Sequence, residues 1–487
     1  MRPLYLLALL GTRLVSVLSL LVLSHLMTPK AFGEFTLINT NALAAQMILG
    51  SWLSSIVTRS MASRNGDVNP NMMAAITSAV LIVSAITLGA SIVYGCMYPD
   101  QFWGALMTAI LASSFIIYDT ALAIKNAMGR ESAYAAFALS RNLLAFIVAT
   151  FLVIVGTGSF GPVVGLLIGT LTPLIFLSGT RRLWLNAKLS MRALRHLSPY
   201  LSQGLSGALV LGIYILVNAP IRNLIAQEFG VAAAGVWTLC SDLFYGPLAI
   251  VGNAYSLSQI RLLYLAAAAL DEEAMRRRAQ ALMEFTLAIA VPYVIVCEMF
   301  AEDVVGVIIS PHQAGLAANI VTAAASQGGA VLVLYSLTSI ALARKRFWLV
   351  ASMVATTALS VTIAAFAGAL AGAGLANTAR WASWACLFVV LVWLVWSAAT
   401  NLVTIRRREL TKLFFASSAL WLASMGSSEV LSLTLGISVN WIFPALAGAV
   451  AFLVTALVLN LSGFIEMLPL VLQRHIAHLV KKQKYGA

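Results

Sequence analysis

The chain has 487 residues, of which 61% are hydrophobic and only 10% charged, and its mean hydropathy is +0.93. Soluble domains carry roughly 25% charged residues, so the composition excludes a soluble protein and requires most of the chain to lie in lipid. The formal net charge of +13 would point to nucleic acid in a soluble protein; in a membrane chain the placement of the cations carries the information instead, and no nucleic-acid partner is expected.

Taken from the N-terminus, the first apolar run (residues 5–27) is too long for a secretory h-region and is read as a retained helix. A short turn, Thr28 to Glu34, leads to a second run over 35–58 that ends on Arg59. Four more follow near 72–97, 102–126, 133–156 and 160–180, and then a basic connector, 181–200. The next six fall near 201–226, 232–256, 280–300, 315–342, 347–368 and 375–398. After Arg406-Arg407-Arg408 come two more, near 413–434 and 439–462, and a basic tail. The expected fold is all-α and polytopic, with fourteen transmembrane helices. The expected parts are a six-helix half (1–180), the connector (181–200), a second half (201–398), helices thirteen and fourteen (399–462) and the tail (463–487). The connector places leucines among its cations and reads as an amphipathic helix on an anionic leaflet.

Alternating the loops between sides tests the count. The side holding the N-terminus carries 25 Lys and Arg, the other side only Lys30, and Arg13, Arg141, Arg222 and Arg380 lie within helices. The positive-inside rule then puts both termini in the cytoplasm.

An internal repeat adds direction. Placing 35–59 over 237–261 aligns Thr36 with Thr238, Gly50 with Gly252, Ser54 with Ser256 and Arg59 with Arg261. Six helices separate the copies, so both run the same way, as in parallel repeats whose halves enclose a substrate.

Intramembrane arginines cost ~2.5–3.5 kcal/mol each and therefore face an interior, watered or paired environment. A guanidinium stays charged and binds phosphate through two hydrogen bonds. Arg13, Arg59, Arg141, Arg261, Arg222 and Arg380 are thus candidate ligands for an anionic substrate; interface snorkelling is the competing reading for Arg222 and Arg380. Asp119 and Asp242 are candidates for pairing with these arginines or for exchanging a coupling proton. The glycines and prolines of helices five and six, Gly165, Gly169 and Pro173 among them, read as hinges. The four cysteines read as packing residues, and no P-loop, hydrolase or metal-ligand spacing occurs.

Arg13, the stretch HLMTPKAFGEFTLINT at 25–40, Arg59 and the fourteen-helix plan with its basic connector resemble the polysaccharide-biosynthesis flippases of the multidrug/oligosaccharidyl-lipid/polysaccharide exporter superfamily. The resemblance implies a non-enzymatic protein of the bacterial inner membrane. It would move undecaprenyl-pyrophosphate-linked oligosaccharide repeat units between leaflets by alternating access, for exopolysaccharide or O-antigen assembly. It implies no cofactor beyond a coupling H+ or Na+. As partners it implies membrane lipids, a polysaccharide polymerase and a chain-length regulator. By position Arg13, Arg59 and Arg261 match the arginines of helices one, two and eight in lipid II flippases. A lipid II flippase and a cation-coupled multidrug exporter are the alternatives within the superfamily. A membrane polymerase would need a long outer loop that the chain lacks.

Overall fold

The computed structural model describes residues 3–62, 70–128, 131–176, 191–318, 320–435 and 442–458, and among these no strand occurs. The N-terminal half comprises α1 (Pro3–Leu26), α2 (Pro29–Leu49), α3 (Ser51–Ala62), α4 (Pro70–Met97), α5 (Phe102–Ala127), α6 (Glu131–Ile154) and α7 (Phe160–Phe176). The second half comprises α8 (Leu201–Glu228), α9 (Val231–Ala268), α10 (Glu272–Ile308), the short α11 (Pro311–Ala318), α12 (Val321–Ala343), α13 (Phe347–Leu370) and α14 (Gly374–Ala399). Finally α15 (Arg407–Leu435) and α16 (Ile442–Val458) pack on each other, and α15 leans on α10. Eight of the described helices are long and apolar enough to cross a membrane, and 14–26 and 160–176 are shorter apolar helices. The protein is a polytopic helical membrane protein.

Several boundaries differ from the sequence reading for physical reasons. Residues 28–34 are not a turn. Thr28 is an N-cap whose hydroxyl accepts from the Ala31 N–H, Pro29 takes the first helical position, and α2 starts at once. The second run is broken at Gly50, which ends α2 before α3 continues the path. Helix α10 extends well beyond the expected 280–300. Asp271 caps it by accepting from the Ala274 N–H at 2.9 Å, and Glu272 and Glu273 occupy its first turn, so a polar stretch invisible to an apolar scan is helical. The expected tenth helix is divided into α11 and α12. Lys125 is buried near the end of α5 with its ammonium 5.1 Å from the Phe137 ring centre.

The described part of the connector, Met191–Tyr200, is a 3-10 helix. Leu197 is buried with Ile76, Ile56 and Ile124, and Leu194 and Tyr200 pack beside it, so these residues close one end of the first half rather than face lipid. Residues 181–190 and the tail lie outside the described residues. In α7, Gly165 and Gly169 are packing sites and not hinges. A Cβ on Gly165 would lie 2.6 Å from the Ala149 nitrogen, and one on Gly169 would lie 2.6 Å from the Arg141 carbonyl oxygen. Without side chains there, α6 and α7 approach closely, as small-residue stripes allow in membranes.

The halves meet through α2 and α3 against α8, and α2 against α9. The offset that aligns Thr36 with Thr238 also aligns Gly33 with Gly235, and these two glycines touch: a Cβ on Gly235 would lie 2.7 Å from the Gly33 Cα. Buried Phe32, Phe35 and Trp237 surround the crossing. This close crossing lies at the end of the bundle that carries the α1–α2 junction. At the other end Gly204 of α8 sits against Ile56 and the Trp52 carbonyl of α3.

Candidate substrate and coupling site

Among the described residues, two polar clusters pair an arginine of the sequence reading with an aspartate inside the helices. The first lies wholly in the N-terminal half. Asp119 on α5 accepts from the Gln46 amide of α2 at 2.7 Å, and its other oxygen stands 3.9 Å from the Arg141 guanidinium of α6. That guanidinium lies 4.6 Å from the centre of the Phe115 ring and 4.5 Å from that of Tyr118, a cation–π arrangement that holds a charge without neutralising it. The two side chains are 19% and 30% exposed for Arg141 and Asp119. Tyr118 is locked in place by stacking on Phe137, with ring centres 4.8 Å apart, and by donating to the Phe137 carbonyl at 3.0 Å. Arg141 is therefore positioned by rings and by the close α6–α7 packing, and its ion pair is a loose one.

The second cluster bridges the halves. Arg222 of α8 is 2% exposed. It donates to the Thr40 hydroxyl of α2 at 2.6 Å, to Asp242 of α9 at 3.2 Å and to the Tyr214 hydroxyl at 3.2 Å. Tyr214 also donates to the same Asp242 oxygen and stacks on Tyr245, with ring centres 4.0 Å apart. One residue along each helix, Asn41 and Asn223 exchange amide hydrogen bonds at 2.9 and 3.3 Å. Thr40 and Asp242, which flank Arg222, are themselves aligned by the repeat offset.

The expected site residues thus fall into three groups. Arg141 with Asp119, and Arg222 with Asp242, are brought together as pairs. Arg13 lies on α1 next to Thr12, whose carbonyl accepts from Asn142 at 3.3 Å, so its backbone is level with Arg141 on the adjoining helix. The side chains of Arg13, Arg59 and Arg261 lie outside the described residues; Arg59 is on α3 and Arg261 on α9. Arg380 is exposed on α14, which packs mainly on α12 and α13, and it is not brought to either cluster. Arg222 does not snorkel; it is enclosed by helices. The residues missed in the sequence are Gln46, Thr40, Tyr214, Phe115 and Tyr118. The signal for Thr40 was available, because the repeat pairs it with Asp242.

The family profile for polysaccharide biosynthesis proteins matches residues 22–318. The chain belongs to this family. No curated protein matches the chain. Among solved structures, the lipid II flippase MurJ in an inward closed conformation superposes with a TM-score of 0.73 at 13% identity, over 93% of this chain and 98% of that one. A MOP superfamily transporter from Pyrococcus furiosus gives 0.59 at 14% identity, over 82% and 94%. The Vibrio cholerae MATE transporter VcmN gives 0.56 at 16% identity, over 82% and 96%. These similarities establish the fold, that of MOP superfamily flippases and transporters, and the relatives are transporters rather than enzymes.

Proposed function

We propose that this polysaccharide biosynthesis protein is a flippase for polyprenyl-pyrophosphate-linked oligosaccharide repeat units, working by alternating access in the bacterial inner membrane with both termini cytoplasmic. The observation that supports it most is Arg141. It is a charged, partly exposed guanidinium within the helices, held by two aromatic faces and only 3.9 Å from its nearest carboxylate. An arginine so loosely paired retains donors for a phosphate.

The two clusters have different roles in this reading. Arg141, with Arg13 on the adjoining α1, receives the pyrophosphate on the N-terminal half, while Arg59 and Arg261 extend the cationic path towards the ends of α3 and α9. Arg222 has its two terminal nitrogens bonded to Thr40, Tyr214 and Asp242, so it ties the halves together; Arg380 is left as a peripheral charge. Asp119 keeps the empty site from carrying bare positive charge and gives way to the incoming phosphate. Transport is driven by an ion gradient or the membrane potential, with Asp119 and Asp242 as the coupling carboxylates.

The test is complementation and leaflet assignment of lipid-linked repeat units in cells carrying Arg141→Gln or Arg141→Lys. Repeat units stranded in the cytoplasmic leaflet with Arg141→Gln, at normal abundance of the protein, are the expected result. Full translocation by Arg141→Gln would overturn the assignment, and extrusion of organic cations without lipid translocation would replace it with the exporter function.

A further inference from the structure

A cationic surface lies away from the interface between the halves, where the α12–α13 and α14–α15 turns meet. Two residues there adopt left-handed backbone conformations, Lys345 (φ 57°) and Asn401 (φ 54°). The turns are joined, because Arg344 donates to the Asn401 carbonyl at 3.3 Å. Leu402 and Val403 are buried beneath. The chain is also pinned at Arg406, whose backbone N–H, Nε and terminal nitrogen donate to the buried Glu284 of α10 at 3.1, 3.2 and 2.7 Å. That bonding holds the Arg406 guanidinium above its ordinary pKa, so the clamp stays ionic.

This scaffold presents Lys345, Arg346, Arg407 and Arg408 to the outside, all exposed and with no ion pair described among the described residues. Of the carboxylates nearby, Glu284 is engaged by Arg406 and Glu409 by Lys412 at 2.7 Å, and Glu272, exposed at the start of α10, interacts electrostatically with Arg344 set beneath the patch. Beside Arg346 stands Trp348, 87% exposed. An exposed indole at the mouth of apolar helices is a headgroup-level anchor. The helices leading away from the patch, α13 and α14, turn apolar side chains such as Ile363, Phe366, Phe388 and Leu391 outward. Cations, indole and apolar wall therefore follow the order headgroup phosphate, interface, acyl chain.

We infer that Arg346, Arg407 and Arg408, with Lys345 and Trp348, form a binding site for the phosphate of anionic phospholipids at the joint between the second half and α15. The peripheral position, on helices remote from α5 and α6, assigns the patch to bulk lipid. Its occupant bridges the clamp that holds α15 and α16 against α10.

Titration of phosphatidylglycerol and phosphatidylcholine onto the full-length protein in detergent, read by native mass spectrometry, tests this. The wild type is expected to prefer phosphatidylglycerol and to lose the preference at high salt. The variant Arg346→Gln/Arg407→Gln/Arg408→Gln is expected to lose about fivefold in that preference per arginine, with phosphatidylcholine binding unchanged and with polyprenyl pyrophosphate binding retained. Equal binding of the two phospholipids by the wild type, or an undiminished preference in the triple variant, overturns the site. If the triple variant fails to fold, Arg408→Gln alone and the salt dependence of the wild type decide in the same way. Loss of polyprenyl pyrophosphate binding only in Arg141→Gln keeps the two sites distinct.

Discussion

Removing the carboxylate of Asp242 leaves Arg222 as an uncompensated charge between the halves. Breaking a buried ion pair by deleting one partner costs about 3–5 kcal/mol. Asp242 is itself 28% exposed while Arg222 is 2% exposed, so part of that attraction is screened, and about 2–4 kcal/mol is expected for Asp242→Leu. The reverse change is milder. Arg222→Met leaves a carboxylate that water reaches and that still accepts from Tyr214, so about 1–2 kcal/mol is expected, mostly from the Thr40 hydroxyl left without its donor. Converting both residues removes the burden together, and Arg222→Met/Asp242→Leu is expected within about 1 kcal/mol of the wild type. Equilibrium unfolding in mixed detergent micelles measures the cycle. An Arg222→Met cost equal to or above that of Asp242→Leu, or a double variant as destabilised as the sum of the singles, would refute the burial argument.

Gly169→Leu should force α7 off the Arg141 backbone, with overpacking of about 1–3 kcal/mol and a loss of translocation; unfolding and leaflet assays together check this, whereas Gly104→Ala, with nothing within 4 Å of its Cβ position, should be neutral or stabilising by about 0.5–1 kcal/mol. A disulfide between Asn41→Cys and Asn223→Cys, in a background without the native cysteines, should halt transport until it is reduced; continued transport in the oxidised form would show that this seam does not part. Glu284→Gln should cost about 1–3 kcal/mol and raise protease access to the 400–408 segment, since the charge-assisted bonds to Arg406 are lost, and unchanged digestion would argue against the clamp.

Helix positions were largely readable because lipid demands long apolar runs with every backbone group bonded internally. The errors lie where that demand stops. Asp271 and the acidic first turn of α10 are outside the apolar window yet capped and helical, and Thr28-Pro29 is a helix start that resembles a loop in composition. Gly165 and Gly169 illustrate another limit. A glycine that bends a helix and one that admits a neighbour are the same letter, and only the Arg141 carbonyl above Gly169 tells them apart. For the site, the chemistry of Arg141, Arg222, Asp119 and Asp242 was visible as charge where charge is costly. Their pairing was not, because Asp119–Arg141 and Asp242–Arg222 join different helices across gaps of sequence that carry no periodic signal.

What the amino-acid sequence determined by itself was the solvent: high hydropathy and the scarcity of charged residues specify a helical membrane chain. What tertiary structure alone decided was which arginine is held loosely between aromatic rings and which is tied across the halves. The physical reason is that burying a guanidinium is costly in any apolar run, and only the partners brought by other helices, Asp119 at 3.9 Å or Thr40 at 2.6 Å, set whether it retains donors for a ligand.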